Sequence, residues 1–336
     1  MSLGLGTAPL GGLYAPVDDE TAEATVRAAL DAGLTYVDTA PHYGLGVAER
    51  RLGAVLGRLP RDSFVLSTKV GRLLRPRPPG QGPDAGEVFS EAPPLTRVWD
   101  WTRDGIRRCL EESLDRLGLD RVDAVYLHDP DDHEREVYET AYPALAELRA
   151  EGTVRAIGAG MNQSEMLTRF VHRLDLDVVL LAGRYTLLDQ TGADELLPAC
   201  AERGVAVVMG GVYNSGLLAG SGVGRAKYNY ADAPPALVER ALRLRDACAR
   251  HGVPLRAAAL RFPFGHPVVR CVLVGPRSAE EVADNLRCYR HPIPGELWDE
   301  LAGEGLIPPE FLPKSPPSPS RSMLWGPQIR QTGPTT

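Results

Sequence analysis

VRAIGAGMNQSEMLTRFVHRLDLDVVLLAGRYTLLDQTGADELLPACAERGVAVVMGG (154–211) carries the pattern that decides the fold. Three runs within it, VRAIGAG (154–160), DVVLLAG (177–183) and VAVVMGG (205–211), are short, mostly apolar, rich in β-branched residues, and end on glycine. Strands that are hydrophobic on both faces belong to parallel sheets covered by helices. The stretches between them have helical spacing, as in ELLPACAERG (195–204), which closes on Gly204. The repeating unit is therefore one strand followed by one helix.

Outward from this segment, LGLGTA (3–8), TYVDTA (35–40), FVLSTKV (64–70), AVYLHD (124–129) and CVLVGP (271–276) bring the strands to eight. DDETAEATVRAALDAG (18–33) opens with an Asp cap and closes on Gly33, and ALVERALRLRDACARHG (236–252) repeats the helical pattern. Most strand ends lie 22 to 31 residues apart, the length of one strand and one helix. Two wider intervals, 70–124 and 211–271, call for long loops after strands three and seven, the first Pro- and Arg-rich (RLLRPRPPGQGPDAG, 72–86). Eight such units predict an α/β fold, a (β/α)8 TIM barrel forming a single domain over 1–305. A six-stranded doubly wound sheet would leave two strands unassigned. Residues 306–336 read as a Pro/Ser-rich C-terminal extension whose apolar cluster is Met323, Leu324 and Trp325.

The composition excludes several classes. With 43% hydrophobic and 24% charged residues, the 336-residue chain can build a full core. A net charge of −7 without a basic run gives no footprint for nucleic acid. Gly204–Gly224, the longest uncharged stretch, holds seven glycines and reads as a strand entering a loop, with no membrane span. Five scattered cysteines without a CxxC pattern point to a reducing cytoplasm, and the amino terminus has no secretory signal. Of 37 basic residues only Lys69, Lys227 and Lys314 are lysine, so a lysine at a strand end attracts notice.

In a (β/α)8 barrel the working groups stand where strands end and βα loops begin. Those positions hold Asp38 at the end of strand two, Tyr43 in the loop behind it, Lys69 at the end of strand three and His128 at the end of strand four. Adjacent strands lie about 4.8 Å apart, so the four can share one pocket. A buried lysine needs a counter-ion, which Asp38 supplies. Its ammonium beside a phenol is expected to lower the Tyr43 pKa from its usual value near 10. Such a tyrosine can give a proton to a carbonyl oxygen or take one from a hydroxyl, with His128 positioning that oxygen. The acidic and histidine residues at 128–133 make no metal site, because no second histidine converges from another strand end.

VDTAPHYG (37–44), STKVG (67–71) and YLHDPDD (126–132) resemble the aldo-keto reductase superfamily, from about residue 3 to about residue 305. The resemblance implies a tetrad of Asp38, Tyr43, Lys69 and His128 and a nicotinamide cofactor held without a Rossmann GxGxxG motif. LGTAPLGGLY, HYGLGVAERRLG, GAGMNQ, LAGRYTLLDQ and GGVYNSGLLAG look like the branch containing D-threo-aldose 1-dehydrogenase and L-fucose dehydrogenase, which oxidise the anomeric carbon of a sugar to a lactone. It also implies cofactor contacts from Asn162 to the carboxamide, Asn214, Ser215, Gly216 and Leu217 to the pyrophosphate, Arg277 and Ser278 to a 2′-phosphate, and Asn285 to the adenine. Met161, Ala182 and Gly210 stand where the family usually has serine, glutamine and a stacking aromatic, and Tyr213 is a candidate replacement for the last. NADP(H) is expected, with NAD(H) as the alternative. His42, Tyr14, Trp99 and Trp101 are candidate substrate contacts, the tryptophans through ring stacking. The expected partner is a small carbonyl compound or sugar, and the expected state a monomer or homodimer. Rival readings are a biosynthetic carbonyl reductase or dehydratase on the same barrel, and a cofactor-binding regulatory subunit.

Overall fold

The computed structural model describes residues 2–80, 82, 88–90, 92–219, 227–228 and 231–313. Eight parallel strands close into a barrel: β1 (Ser2–Gly6), β2 (Tyr36–Asp38), β3 (Val65–Val70), β4 (Ala124–His128), β5 (Ala156–Met161), β6 (Val178–Ala182), β7 (Ala206–Gly210) and β8 (Val269–Val274). Each pairs with its neighbours in chain order, and β1 closes the ring on β8 from Ser2↔Cys271 to Leu5↔Val274. The (β/α)8 barrel expected from strand spacing is therefore the fold.

Two cores result from strands buried on both faces. Outside the barrel, side chains such as Leu5, Val37, Leu66, Val125, Ile157, Val179 and Val207 pack against the helices. Inside, Tyr36, Tyr126, Val178, Leu180, Val208, Cys271 and Leu273 fill the lumen. Gly158 makes room for them, because a Cβ there would collide with the Val178 carbonyl. The helix at 19–31 starts on the expected Asp cap, where Asp18 accepts from Thr21 N at 2.7 Å, and the helix at 103–117 starts on Thr102, which accepts from Gly105 N at 3.0 Å.

The long segment after β3 is more ordered than a loop. Arg72–Pro76 and Leu95–Trp99 form an antiparallel hairpin, with Arg72 opposite Trp99. Gly71, at φ 105°, turns the chain into it, and the Trp101 ring occupies the space where a side chain would stand. After β7, Lys227–Tyr228 pairs with Ala231–Asp232. Packing continues past 305: Leu306 and Ile307 are buried, so the barrel reaches slightly into the segment read as a tail. Met323, Leu324 and Trp325 lie outside the described residues.

Among the described residues, five other than glycine have left-handed φ: Tyr14 (64°), Leu45 (49°), Asp129 (44°), Asn214 (46°) and Ser215 (56°). All five sit in loops leaving the C-terminal ends of barrel strands. No described helix is long and apolar enough to cross a membrane. All five cysteines are buried and unpaired.

Candidate active site

Barrel register brings the ends of β2, β3 and β4 together, with Asp38 beside Ser67 and Lys69 beside Tyr126. Lys69 Nζ donates to Asp38 Oδ2 at 2.6 Å, to the Thr39 carbonyl at 3.0 Å and to the Tyr43 hydroxyl at 3.0 Å. An ammonium has three protons, so each has its acceptor and the group cannot turn away. Lys69 and Asp38 side chains are each only 2% exposed. Burial works against the ammonium, but Asp38 and Tyr43 outweigh it, and the Lys69 pKa is pushed up to about 12. Tyr43 departs from expectation. Burial pushes its phenol above 10, and the Lys69 charge and hydrogen bond recover only part of this, because Asp38 and Asp129 push it up as well. The ammonium is already neutralised by Asp38, so its field at the phenol is that of an ion pair rather than a bare charge.

Beneath this triad runs a chain of hydroxyls that the sequence reading missed. Asp38 Oδ1 accepts from Ser67 Oγ at 2.7 Å; Ser67 Oγ lies 2.9 Å from the Tyr36 hydroxyl, which lies 2.9 Å from that of Tyr126. An ionised carboxylate only accepts, which fixes the polarity throughout: Tyr126 donates to Tyr36, Tyr36 to Ser67, Ser67 to Asp38. Burial, with the nearby Asp38 charge among the further causes, holds both lower phenols well above 10, so they remain donors. The signal was present in the sequence. Tyr36, Ser67 and Tyr126 each lie two residues before Asp38, Lys69 and His128, on the same inward face of their strands.

The His128 ring centroid lies 6.0 Å from that of Tyr43 and 5.6 Å from that of His42. Burial, followed by the charges of Arg72, Lys69, His42 and Arg97, holds its pKa well below 6.5. It is a neutral imidazole that can donate one N–H, and its Nδ1 is buried with no partner. Its Nε2 faces Asp129 Oδ2 at 3.6 Å, and Arg72 Nη2 donates to that same oxygen at 2.6 Å. Phe89, from beyond the hairpin's first strand, stands edge-on to His42 at 5.2 Å.

The two tryptophans separate. Trp101 is 4% exposed and belongs to the core, while Trp99, 44% exposed, stacks on it at 5.7 Å and has the Arg72 guanidinium 4.4 Å from its ring. Trp101 is therefore a support, corrected from a direct substrate contact, because its faces are covered by Trp99 and Gly71. Tyr14 is half exposed. Burial raises its phenol and a hydrogen bond with the Ser215 side chain opposes that, so the loops after β1 and β7 meet across the mouth.

The remaining predicted residues lie along the other half of the mouth. Asn162 Nδ2 is 3.4 Å from Asp129 Oδ1. Strands β6 and β7 end in Ala182 and Gly210, and a Cβ on Gly210 would meet only Leu180 and Ala182 at 3.6 Å or beyond. Asn214 Nδ2 donates to the Gly183 carbonyl at 3.3 Å, while its Oδ1 is buried without a partner. The amides of Asn214, Gly216 and Leu217 close turns onto Gly211, Tyr213 and Asn214 carbonyls. Ser278 caps its helix at Glu281 N, 3.3 Å away; Glu281 also takes the Arg277 amide and guanidinium at 2.9 and 3.2 Å. Tyr213 donates to Asn285 Oδ1 at 2.8 Å.

The Aldo/keto reductase family model matches residues 2–303. The chain belongs to the aldo/keto reductase family. It is 48% identical to a D-threo-aldose 1-dehydrogenase from Pseudomonas sp, covering 91% of this chain and 94% of the relative. It is 42% identical to a pyridoxal 4-dehydrogenase from Microbacterium luteolum, with the same coverage of 91% and 94%. An L-galactose dehydrogenase from Arabidopsis thaliana is 30% identical, over 85% of this chain and 83% of the relative. Among solved structures, an aldo-keto reductase from Bacillus halodurans superimposes with a TM-score of 0.72 at 24% identity, covering 91% of this chain and 92% of that one, in support of the barrel. This aldo/keto reductase is an NAD(P)-dependent oxidoreductase acting between a carbonyl and an alcohol. The uncrowded ends of β6 and β7 leave space for a nicotinamide cofactor, and the unpaired Asn214 Oδ1 is an acceptor for one of its hydroxyl or amide donors.

Proposed function

We propose that this aldo/keto reductase is an aldose dehydrogenase, which oxidises the anomeric carbon of a sugar to a lactone with NADP(H), or NAD(H) as the alternative. The observation that carries the chemistry is the Tyr43 hydroxyl held 3.0 Å from a lysine that is itself fixed by Asp38. The similarity to a D-threo-aldose 1-dehydrogenase at 48% identity supports the substrate class.

Bound nicotinamide supplies the hydride acceptor. Tyr43 takes the proton of the anomeric hydroxyl, and in the reverse direction returns it to the carbonyl oxygen. Lys69 stabilises the phenolate so formed, Asp38 anchors Lys69, and the neutral His128 donates its N–H to the reacting oxygen. On the cofactor side, Asn162 serves the carboxamide, the 214–217 turn the pyrophosphate, Arg277 and Ser278 a 2′-phosphate, and Asn285 the adenine. Arg277 and Asn285 are held by Glu281 and Tyr213 in this structure, and would have to exchange those partners to hold the cofactor. His42, Tyr14 and Trp99 line the substrate side. We place this reaction in the cytoplasm, where buried thiols stay reduced. A second reading, oxidation of a hydroxylated aromatic aldehyde, draws on the exposed Trp99 ring and the similarity to a pyridoxal 4-dehydrogenase.

The test is NAD(P)H formation across a panel of aldoses and pyridoxal, with Tyr43→Phe alongside. Loss of general acid–base catalysis lowers kcat by about 10²- to 10⁴-fold, with cofactor affinity, followed by fluorescence titration, unchanged. Full turnover by Tyr43→Phe would remove the tyrosine from its role.

A further inference from the structure

Arg72 and Asp129 form an ion pair at the mouth, beside the tetrad. Arg72 lies three residues beyond Lys69 and Asp129 directly follows His128. Their 2.6 Å contact leaves the two side chains 11% and 21% exposed. A carboxylate has about four lone-pair sites and a guanidinium five N–H donors, so one such bond leaves most of their capacity unfilled. Among the described residues, Asp129 Oδ1 has only Asn162 Nδ2, at 3.4 Å, and Arg72 Nε is buried without a partner. Both groups are next to the reacting centre, since Asp129 Oδ2 is 3.6 Å from His128 Nε2. The backbone is also shaped for it: Asp129 adopts φ 44°, pinned by its own N–H to the Gly160 carbonyl at 3.0 Å. The exposed Trp99 ring covers Arg72 and adds an apolar face.

An acceptor and a donor side by side match a hydroxyl, which offers one proton and two lone pairs. Two neighbouring hydroxyls on a ring match both partners, and the indole covers the ring's C–H face. A simple aldehyde has nothing to put there, and the pair then remains satisfied by itself. We propose that Arg72 and Asp129 recognise hydroxyls on the carbons beside the reacting one, so that the site selects a polyhydroxylated ring over a plain aldehyde. This rests on the aldose dehydrogenase reading and specifies its substrate contacts. The pair's other role, clamping the hairpin to β4, would not depend on which hydroxyls a substrate carries.

The deciding measurement compares kcat/KM for an aldose and for its single-deoxy analogues, in the wild-type enzyme and in Asp129→Asn. The wild type is expected to favour the parent sugar over at least one analogue by about 10- to 100-fold, the scale of a hydrogen bond to a charged group. In Asp129→Asn that ratio falls toward one, because the parent loses and the analogue has nothing to lose. A ratio that survives the substitution while both rates drop assigns the pair to clamping alone and overturns the inference. Circular dichroism checks folding, and Arg72→Gln provides the same comparison if Asp129→Asn does not fold. A wild type that turns over aldoses without preferring any hydroxyl overturns this inference only. A wild type that turns over none overturns the aldose reading with it.

Discussion

The two halves of the barrel mouth are built differently. At the ends of β2, β3 and β4, nearly every side chain carries charge or a hydroxyl, and nearly all of these are tied to one another. At the ends of β5, β6 and β7 stand Met161, Ala182 and Gly210, with polar groups held back in the loops. In the proposed function, the first half would act on a few atoms at fixed distance. The second would leave room for a long ligand and meet it with turns and single side chains. Catalysis needs groups that cannot relax, whereas binding of an extended cofactor needs space and contacts that exchange partners.

The contrast breaks most visibly if charge is removed from the rigid half. Asp38→Asn leaves Lys69 buried without its counter-ion, and the expected loss is about 3–5 kcal/mol of unfolding free energy in urea melts, along with turnover. An Asp38→Asn enzyme of native stability would show that the ammonium finds a substitute partner. On the open half, Arg277→Glu is expected to leave stability alone and raise KM for NADP by about 10- to 100-fold, with a much smaller change for NAD. Equal effects on the two cofactors would take the 2′-phosphate away from Arg277. The smallest effect concerns acidity. Tyr43, pushed above 10, keeps its proton through the neutral range, so oxidation climbs with pH until the phenol ionises, while reduction stays level and falls only beyond that point. His128, held well below 6.5, contributes no inflection between pH 6.5 and 8. Tyr36→Phe removes one donor from the chain under Asp38 and is expected to lower kcat about 2- to 10-fold and move the oxidation limb to higher pH. An unmoved limb would make that chain a packing device only.

Strand number and the convergence of Asp38, Tyr43, Lys69 and His128 were legible because both follow from period. Doubly buried strands recur at strand-plus-helix spacing, and these four residues stand at or just past the ends of such strands. What escaped depended on depth or pairing. The hairpin at 72–99 was hidden because RLLRP and LTRVW are short and interrupted by arginines, and only their mutual pairing makes them strands. The direction of the Tyr43 shift escaped because spacing brings Lys69 near without showing that Asp38 neutralises it first. Trp99 and Trp101 look alike in VWDWT, yet one is exposed and the other is core, a difference set by the bend at Gly71. Lys69 could be singled out because this chain otherwise uses arginine, which is too broad and too rigidly forked for a site with one phenol, one carbonyl and one carboxylate.

The five left-handed residues around the mouth have a practical consequence for anyone hoping to make this enzyme tougher. Each holds a conformation that costs a non-glycine residue about 1–3 kcal/mol, and glycine at the exposed Tyr14 or the part-buried Ser215 would relieve it without emptying the core. The other end of the barrel shows no such reservoir among the described residues. Heat resistance and turnover therefore compete for the same few loop positions, and a screen for thermostable variants that ignores activity should collect its winners at the mouth.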